Sequence, residues 1–255
     1  MTWDPATYLQ FADQRLRPAI DLMARIDLSR PMLIYDLGCG AGNVTSLLRE
    51  RWREAVITGV DSSAEMLKAA ADSHHGIEWR QADIASFSPT DRAELIFSNA
   101  ALHWLGDHET LFPRLLGLAA RDGMLAVQMP DNFDQPSHVA LAETAEDRRW
   151  RDKLAHLIRP APVHGAEFYR SCLGPQASDV DVWRTTYYHE MEGEDPVYRW
   201  TSGTALRPFL APLDETEKAS FVEIYKARLR EAYRPAADGR MLFPFRRLFI
   251  VARRA

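Results

Sequence analysis

Leu33-Ile34-Tyr35-Asp36-Leu37-Gly38-Cys39-Gly40-Ala41-Gly42-Asn43 decides the reading of this chain. An apolar run ends in an acid, and three glycines then alternate with small residues. The run predicts a buried strand. Beyond it Val44, Leu47, Leu48 and Trp52 recur at helical spacing and predict a helix. A strand, a glycine-rich turn and a helix start make a nucleotide-type site. Glycine permits a sharp turn and the close approach of a ligand, and the N–H groups at a helix start favour a carboxylate or phosphate. The glycine spacing narrows the ligand. A dinucleotide fingerprint runs Gly-x-Gly-x-x-Gly, its third glycine packing helix on strand; here that position is Asn43. The next strand-like segment, Ala55-Val56-Ile57-Thr58-Gly59-Val60, ends in Asp61. That acid follows the glycines by about 20 residues, the usual distance for a ribose-binding carboxylate.

Working outward, strand and helix patterns alternate from residue 32 to 129. Strands are predicted near 33–37, 55–60, 77–81, 93–98 and 123–129, and helices near 43–52, 63–71 and 107–120. Such alternation predicts a mostly parallel sheet with helices on both faces, its ligand at the carboxyl ends of the strands. Gly38–Gly42, Asp61, Asp83 and Asn99 all lie just past predicted strand ends. Before this core, Asp4-Pro5 predicts a helix start followed by Tyr8, Ala12, Leu16, Ala19, Ile20 and Met23 at helical spacing. After it come helix-like stretches around 136–158, a Pro/Gly stretch at 160–165 and a strand near 180–188. A helix starts at Asp214, with Glu217 placed for a capping box, and ends before Pro235. The apolar segment 242–251 is predicted to enter the sheet. The expectation is a single domain, its core at about 30–130, 180–190 and 240–255, with a helical cap from 1–28, 130–180 and 192–238.

Bulk properties exclude several classes. The 255 residues are 46% hydrophobic and 26% charged, as in soluble globular chains. Lys and Arg number 31 against 36 Asp and Glu, a net charge of −5, which speaks against a nucleic-acid partner needing a basic face. No apolar run approaches the roughly 18 residues of a transmembrane helix. Met1-Thr2-Trp3-Asp4-Pro5 is not a secretory signal. Cys39 and Cys172 give no disulfide framework and no zinc spacing, which fits a reducing cytoplasm and no bound metal. No internal repeat and no obligate protein partner is evident.

The chain resembles the class I S-adenosylmethionine-dependent methyltransferases. Their first motif, acid-x-Gly-x-Gly-x-Gly, is matched by Asp36, Gly38, Gly40 and Gly42. Trp79-Arg80-Gln81-Ala82-Asp83-Ile84 is similar to the segment whose acid binds the adenine amino group, and Leu95–Trp104 to the fourth strand with the loop facing the methyl group. The resemblance implies a Rossmann-like class I fold with a seven-stranded sheet. It also implies S-adenosyl-L-methionine as cofactor and S-adenosyl-L-homocysteine as product. The implied cofactor residues are Asp36, Gly38, Gly40, Gly42, Asp61, Asp83, Ile84 and Asn99, the glycine loop passing under the methionine part and Asp61 taking the ribose hydroxyls. Four further segments resemble one family within this class, whose members esterify trans-aconitate. They are Trp3-Asp4-Pro5 with Tyr8, Phe11 and Arg15–Ala19; Val182–His189; Pro196–Leu210; and Phe243–Ala252. Asp4 stands where asparagine is more frequent, and Ser202 where lysine is common, which removes a possible cation. This closer resemblance implies a small-molecule tricarboxylate as acceptor.

An acceptor of that kind is ionised at neutral pH and needs no general base. It does need local cations in a chain of negative charge, and arginine forks suit carboxylates. Arg207, in a turn-like Leu-Arg-Pro, leads the candidates, with Arg246, Arg15 and Arg17. Arg246 and Arg247 cannot both face one site from a strand. His103 and Trp104 are expected to line the methyl end, with a packing or hydrogen-bonding role for His103 favoured over that of a base; Tyr8, Tyr187, Tyr188 and Trp200 are candidate pocket walls. Three alternatives stay open. They are a methyltransferase for another acceptor such as an amine or phenol, a nicotinamide-dinucleotide oxidoreductase, and a cofactor-binding protein without catalysis.

Overall fold

β1 (Leu33–Leu37), β2 (Val56–Asp61), β3 (Glu78–Gln81), β4 (Ala93–Asn99) and β5 (Ala119–Pro130) pair in parallel, and β7 (Met241–Arg254) runs antiparallel to β5. With β6 (Ala177–Met191) they form a seven-stranded sheet in the order β3-β2-β1-β4-β5-β7-β6. The source is a computed structural model describing residues 12–158 and 160–255. The helix start at Asp4-Pro5, Tyr8, Phe11 and the side chain of Arg15 lie outside the described residues.

The central strands are buried on both faces, as strands between helix layers must be: Ile34, Leu37, Leu95, Ile96, Phe97, Leu125 and Val127 are all sealed from solvent. Their connections follow the alternation in the sequence. α1 (Ala12–Ala24) precedes the sheet, α2 (Asn43–Arg51) follows β1, α3 (Ala64–Ser73) follows β2 and α4 (His108–Gly117) follows β4. The Ser63 side chain caps α3 by accepting from Met66 N, and Asp107 caps α4 by accepting from Thr110 N. Strand order reverses between β2 and β4, around β1. The carboxyl ends of β1 and β4 therefore flank the crevice where open α/β sheets take their ligands.

Three boundaries differ from the periodicity. The predicted helix 107–120 stops at Gly117, because Ala119 already pairs with Ala93 and the register then breaks before Leu95 meets Met124. β6 is longer than its apolar core because its length carries half-exposed and exposed positions, which a hydrophobic reading passes over. The stretch 136–158 breaks into α5 (Pro136–Ala145), α6 (Arg151–Leu154) and a 3-10 turn, Ala155–Leu157.

The chain divides into two compact units. One holds Arg15–Pro130, Pro162–Thr185 and Arg247–Ala255, and so the sheet core and α7 (Ala166–Leu173). The other is built on Asp131–Ala161 and Thr186–Arg246. Residues 15–28 and 162–180, grouped with the cap by pattern alone, fall in the sheet-bearing unit. The helical unit contains α5, α6, α8 (Pro196–Ser202), α9 (Arg207–Leu210) and α10 (Glu215–Ala232). Its own core joins Trp150, Trp200, Phe221, Tyr225, Leu229, Tyr233 and Phe243. Asp214 and Glu217 close the predicted capping box at the start of α10, each side chain accepting from the other residue's backbone N–H. Tyr225 Oη donates to Ser137 O at 3.2 Å and Tyr233 Oη accepts from Ser137 N at 3.0 Å, which ties α10 to α5. Among the described residues no helix is long and apolar enough to cross a membrane.

Candidate cofactor and acceptor site

The glycine turn after β1 is shaped by what surrounds it. Gly38 has φ +77°, and a Cβ there would stand 2.1 Å from the Ala101 Cβ and 3.5 Å from Ile84. Gly42 has φ +81° as the residue that opens α2, and a Cβ there would fall 2.6 Å from the Trp79 ring. Both positions combine left-handed backbone with a neighbour at contact, so only glycine fits. The turn is pinned from behind by Gly38 N and Cys39 N, which both donate to Val60 O, at 2.7 and 3.1 Å. Above Gly40 the space is open, with nothing within 4 Å of a would-be Cβ.

Asp61 ends β2 facing this turn. Its Oδ2 accepts from Gly40 N at 2.9 Å and its Oδ1 from Ser63 N at 2.9 Å. An ionised carboxylate offers about four lone-pair sites, so two remain for a vicinal diol. Asp83, after β3, is exposed, and its Oδ1 accepts from Ala85 N at 2.9 Å. Buried Ile84 packs toward Gly38, while its carbonyl and that of Phe87 are held by Arg114. Asp36 stands apart from the other acids. It is 2% exposed and its Oδ2 accepts from Thr45 Oγ1 at 2.6 Å. Burial pushes its carboxyl up to about 7, against the Thr45 hydrogen bond and with the Asp61 charge adding to the rise. Asp36 therefore fastens the first turn of α2 and does not present a free carboxylate. Burial likewise pushes the Cys39 thiol up, consistent with a small residue filling a tight turn.

The β4 end supplies the opposite wall. Ser98 Oγ donates to Leu37 O at 2.8 Å, joining β4 to β1. Asn99 is half-buried and its Oδ1, itself sealed, has no partner. The chain then turns through Ala100 at φ +54° into a 3-10 turn, Leu102–Trp104. His103 is half-buried with its ring 4.7 Å from that of Trp104, and Trp104 is 66% exposed. His108 underpins this turn: one ring nitrogen lies 3.0 Å from Leu102 O and the other 2.8 Å from Tyr169 Oη. Burial holds its pKa below the usual histidine range, so the ring is neutral at physiological pH. On β5, wholly buried Gln128 has no partner for either amide atom. Each such group costs about 1–3 kcal/mol unless something meets it.

The turn glycines, Asp61, Asp83, Ile84, Asn99, His103 and Trp104 thus belong to the sheet-bearing unit. So does Arg17, which is exposed on α1. Arg207 and Trp200 belong to the helical unit, where Trp200 is 4% exposed and stacks on His189 with ring centres 4.8 Å apart. Tyr187 is buried and Tyr188 exposed. Arg246 is already engaged within the helical unit: its Nε donates to Asp131 O at 2.8 Å and its guanidinium pairs with Asp134. An acid bound there would have to displace a carboxylate. Its neighbour Arg247, at the alternate position on the strand, is buried. Among the described residues no group of three or more His, Cys, Asp or Glu side chains is placed to hold a metal ion. Thr45, His108, Tyr169 and Gln128 were not singled out by sequence pattern. The legible signal for Gln128 is a lone polar residue inside the apolar run Met124-Leu125-Ala126-Val127-Gln128-Met129.

An open turn edged by a diol-suited carboxylate, a second exposed acid and unpartnered amides fits an adenosine-bearing ligand. Comparison with known proteins agrees. A family profile described as a methyltransferase domain matches residues 34–123. A trans-aconitate 2-methyltransferase of Azoarcus sp. is 46% identical over 251 residues, 98% of both chains. Its counterpart in Methylobacterium nodulans is 47% identical over 254 residues, 99% of this chain and 98% of that one. The chain belongs to the trans-aconitate 2-methyltransferase family. Among solved structures, a putative methyltransferase of Bacillus halodurans superposes with a TM-score of 0.58 at 14% identity, covering 93% of this chain and 98% of that one. The plantazolicin methyltransferase BpumL, solved with S-adenosylhomocysteine, gives a TM-score of 0.54 at 13% identity, with 98% and 90% covered. These two likenesses show the fold: the family member has the Rossmann-like architecture of class I methyltransferases.

Proposed function

We propose that the protein transfers a methyl group from S-adenosylmethionine to a carboxylate of trans-aconitate, releasing the monomethyl ester and S-adenosylhomocysteine. The observation that carries this reading is identity of 43–47% to enzymes of that name over 97% or more of both chains. S-adenosylmethionine, when bound, supplies a methyl group on a cationic sulfur. The residues that would hold it are the Gly38–Gly42 turn beneath its methionine part, Asp61 at the ribose, Asp83 and Ile84 at the adenine, and Asn99 facing the methyl end.

The chain's task is then to place and shield. A carboxylic acid with a pKa near 4 is ionised at neutral pH, so no side chain has to remove a proton. Orientation alone can contribute roughly 7–11 kcal/mol to such a transfer. Charge on the acid needs cations, and Arg207, Arg246 and Arg17 are the guanidiniums proposed to meet it, Arg246 by exchanging the Asp134 carboxylate for the acid's. His103 serves as a wall of the site and not as a base. A methyl-transfer assay on the purified protein, with a panel of di- and tricarboxylic acids and mass analysis of the product, tests the reading. Trans-aconitate should give a product one methyl heavier. His103→Gln should keep activity within about fivefold, since base catalysis where used is worth roughly 10²–10⁴. A complete loss would favour an amine or phenol as the acceptor.

A further inference from the structure

Gln128 stands opposite Asn99 in the parallel pairing of β4 with β5. Side chains at paired positions leave a sheet on the same face, so the two amides share one face at the carboxyl end of both strands. The Gln128 side chain is sealed from solvent, and neither Nε2 nor Oε1 has a partner; the sealed Oδ1 of Asn99 lacks one as well. The backbone reinforces the placement. Ala100 N donates to Gln128 O at 2.9 Å, so the turn leading to His103 and Trp104 is itself anchored on Gln128. A buried amide with both ends unmet is rare in folded proteins, and Gln128 lies at the carboxyl end of its strand, where open α/β sheets take their ligands.

We propose that Gln128 binds the carboxylate that accepts the methyl group, its Nε2 donating to the oxygen that does not attack. The proposal rests on the reading of the chain as a carboxyl methyltransferase. In that reaction a carboxylate lone pair forms the O–CH3 bond while the S–CH3 bond breaks, its electron pair staying on sulfur; no proton moves, and Gln128 keeps both of its own. The acid's negative charge disappears as the ester forms. A guanidinium on that carboxylate would stabilise the starting anion more than the transition state and so slow the step. A neutral amide fixes the orientation of the carboxylate without that penalty. This explains an amide, and not a cation, at the β5 end, and it makes Gln128 a determinant of which carboxylate is esterified.

The test is initial-rate kinetics on full-length wild type, Gln128→Met and Gln128→Glu, varying trans-aconitate and S-adenosylmethionine in turn, with NMR identification of the ester. Gln128→Met keeps length and removes hydrogen bonding. It should raise KM for trans-aconitate, or lower kcat, by about tenfold or more, the loss of one hydrogen bond to a charged group, with KM for S-adenosylmethionine within about twofold. The ester should also lose its single position. Gln128→Glu should make acid binding depend on pH, weakening it as the new carboxyl ionises, and it carries the same KM comparison if the Met variant does not fold. Unchanged acid kinetics with one ester position, or equal effects on both substrates, would overturn the assignment while leaving the methyltransferase reading intact. A wild type inactive toward every tricarboxylate would overturn both.

Discussion

The sheet-bearing unit and the helical unit are specified by different physics. The first is organised around backbone geometry: positive φ at Gly38 and Gly42, parallel registers, and acids fixed by main-chain N–H groups. The second is organised around side-chain volume. Its core joins large aromatics from three separate segments: Trp150 just before α6, Trp200 on α8, and Phe221 and Tyr225 on α10. Geometry of the first kind tolerates almost no substitution at a few positions. Packing of the second kind tolerates many substitutions, each at a moderate cost.

That contrast is sharpest at Gly38. An alanine there meets Ala101 at 2.1 Å and must hold φ +77°. Gly38→Ala should cost on the order of 2–5 kcal/mol of stability and abolish S-adenosylhomocysteine binding, as read by thermal melting and calorimetry. A variant that binds normally would mean that the turn is more plastic than its contacts imply. Asp61→Ala should have a smaller and more selective effect. The fold should survive, and S-adenosylhomocysteine affinity should fall by about 10–100-fold through loss of charge-assisted hydrogen bonds, with the same calorimetry as readout. Unchanged affinity would remove Asp61 from the site.

The smallest effect lies in the helical unit and depends on pH. Burial holds the His138 pKa down to about 4, against the Asp134 charge, which raises it. The unfolded chain takes up this proton near pH 6.5 and the folded chain only near 4. Stability should therefore decline as pH falls from about 6.5 to 4, by roughly 1–3 kcal/mol, and His138→Gln should flatten that part of the curve. Asp36 works in the opposite direction. Its carboxyl is raised to about 7, so the sheet-bearing unit loses stability as pH rises from about 4 to 7. Denaturation curves from pH 4 to 8 with both His138→Gln and Asp36→Asn would separate the two contributions. Parallel curves for wild type and both variants would refute the assignment of either group.

Legibility in the sequence follows the same division. The strand–turn–helix at 33–51, the acid at Asp61 and the parallel alternation were readable because glycine spacing and apolar periodicity are local properties. The entry of 242–251 into the sheet was readable from apolarity alone, and it lies between β5 and β6. The division of the helical segments was not readable, since which helices share a core is decided by tertiary contact and not by period. Charge pairing was equally hidden. Arg246 looks like a free cation in sequence, yet Asp131 and Asp134 lie more than 100 residues away along the chain and next to it in space. Asp36 looks like a ligand because it opens the motif, but a hydroxyl nine residues later takes its carboxylate.

Trp79 fills the room left by two missing side chains: a Cβ at Gly42 would sit 2.6 Å from its ring, and one at Gly59 only 2.4 Å. It leads by four residues to Asp83. One indole thus acts as a spacer block between the glycine turn and β2. Trimming it would loosen the turn and the strand together, so the gap between them is built into a residue that belongs to neither.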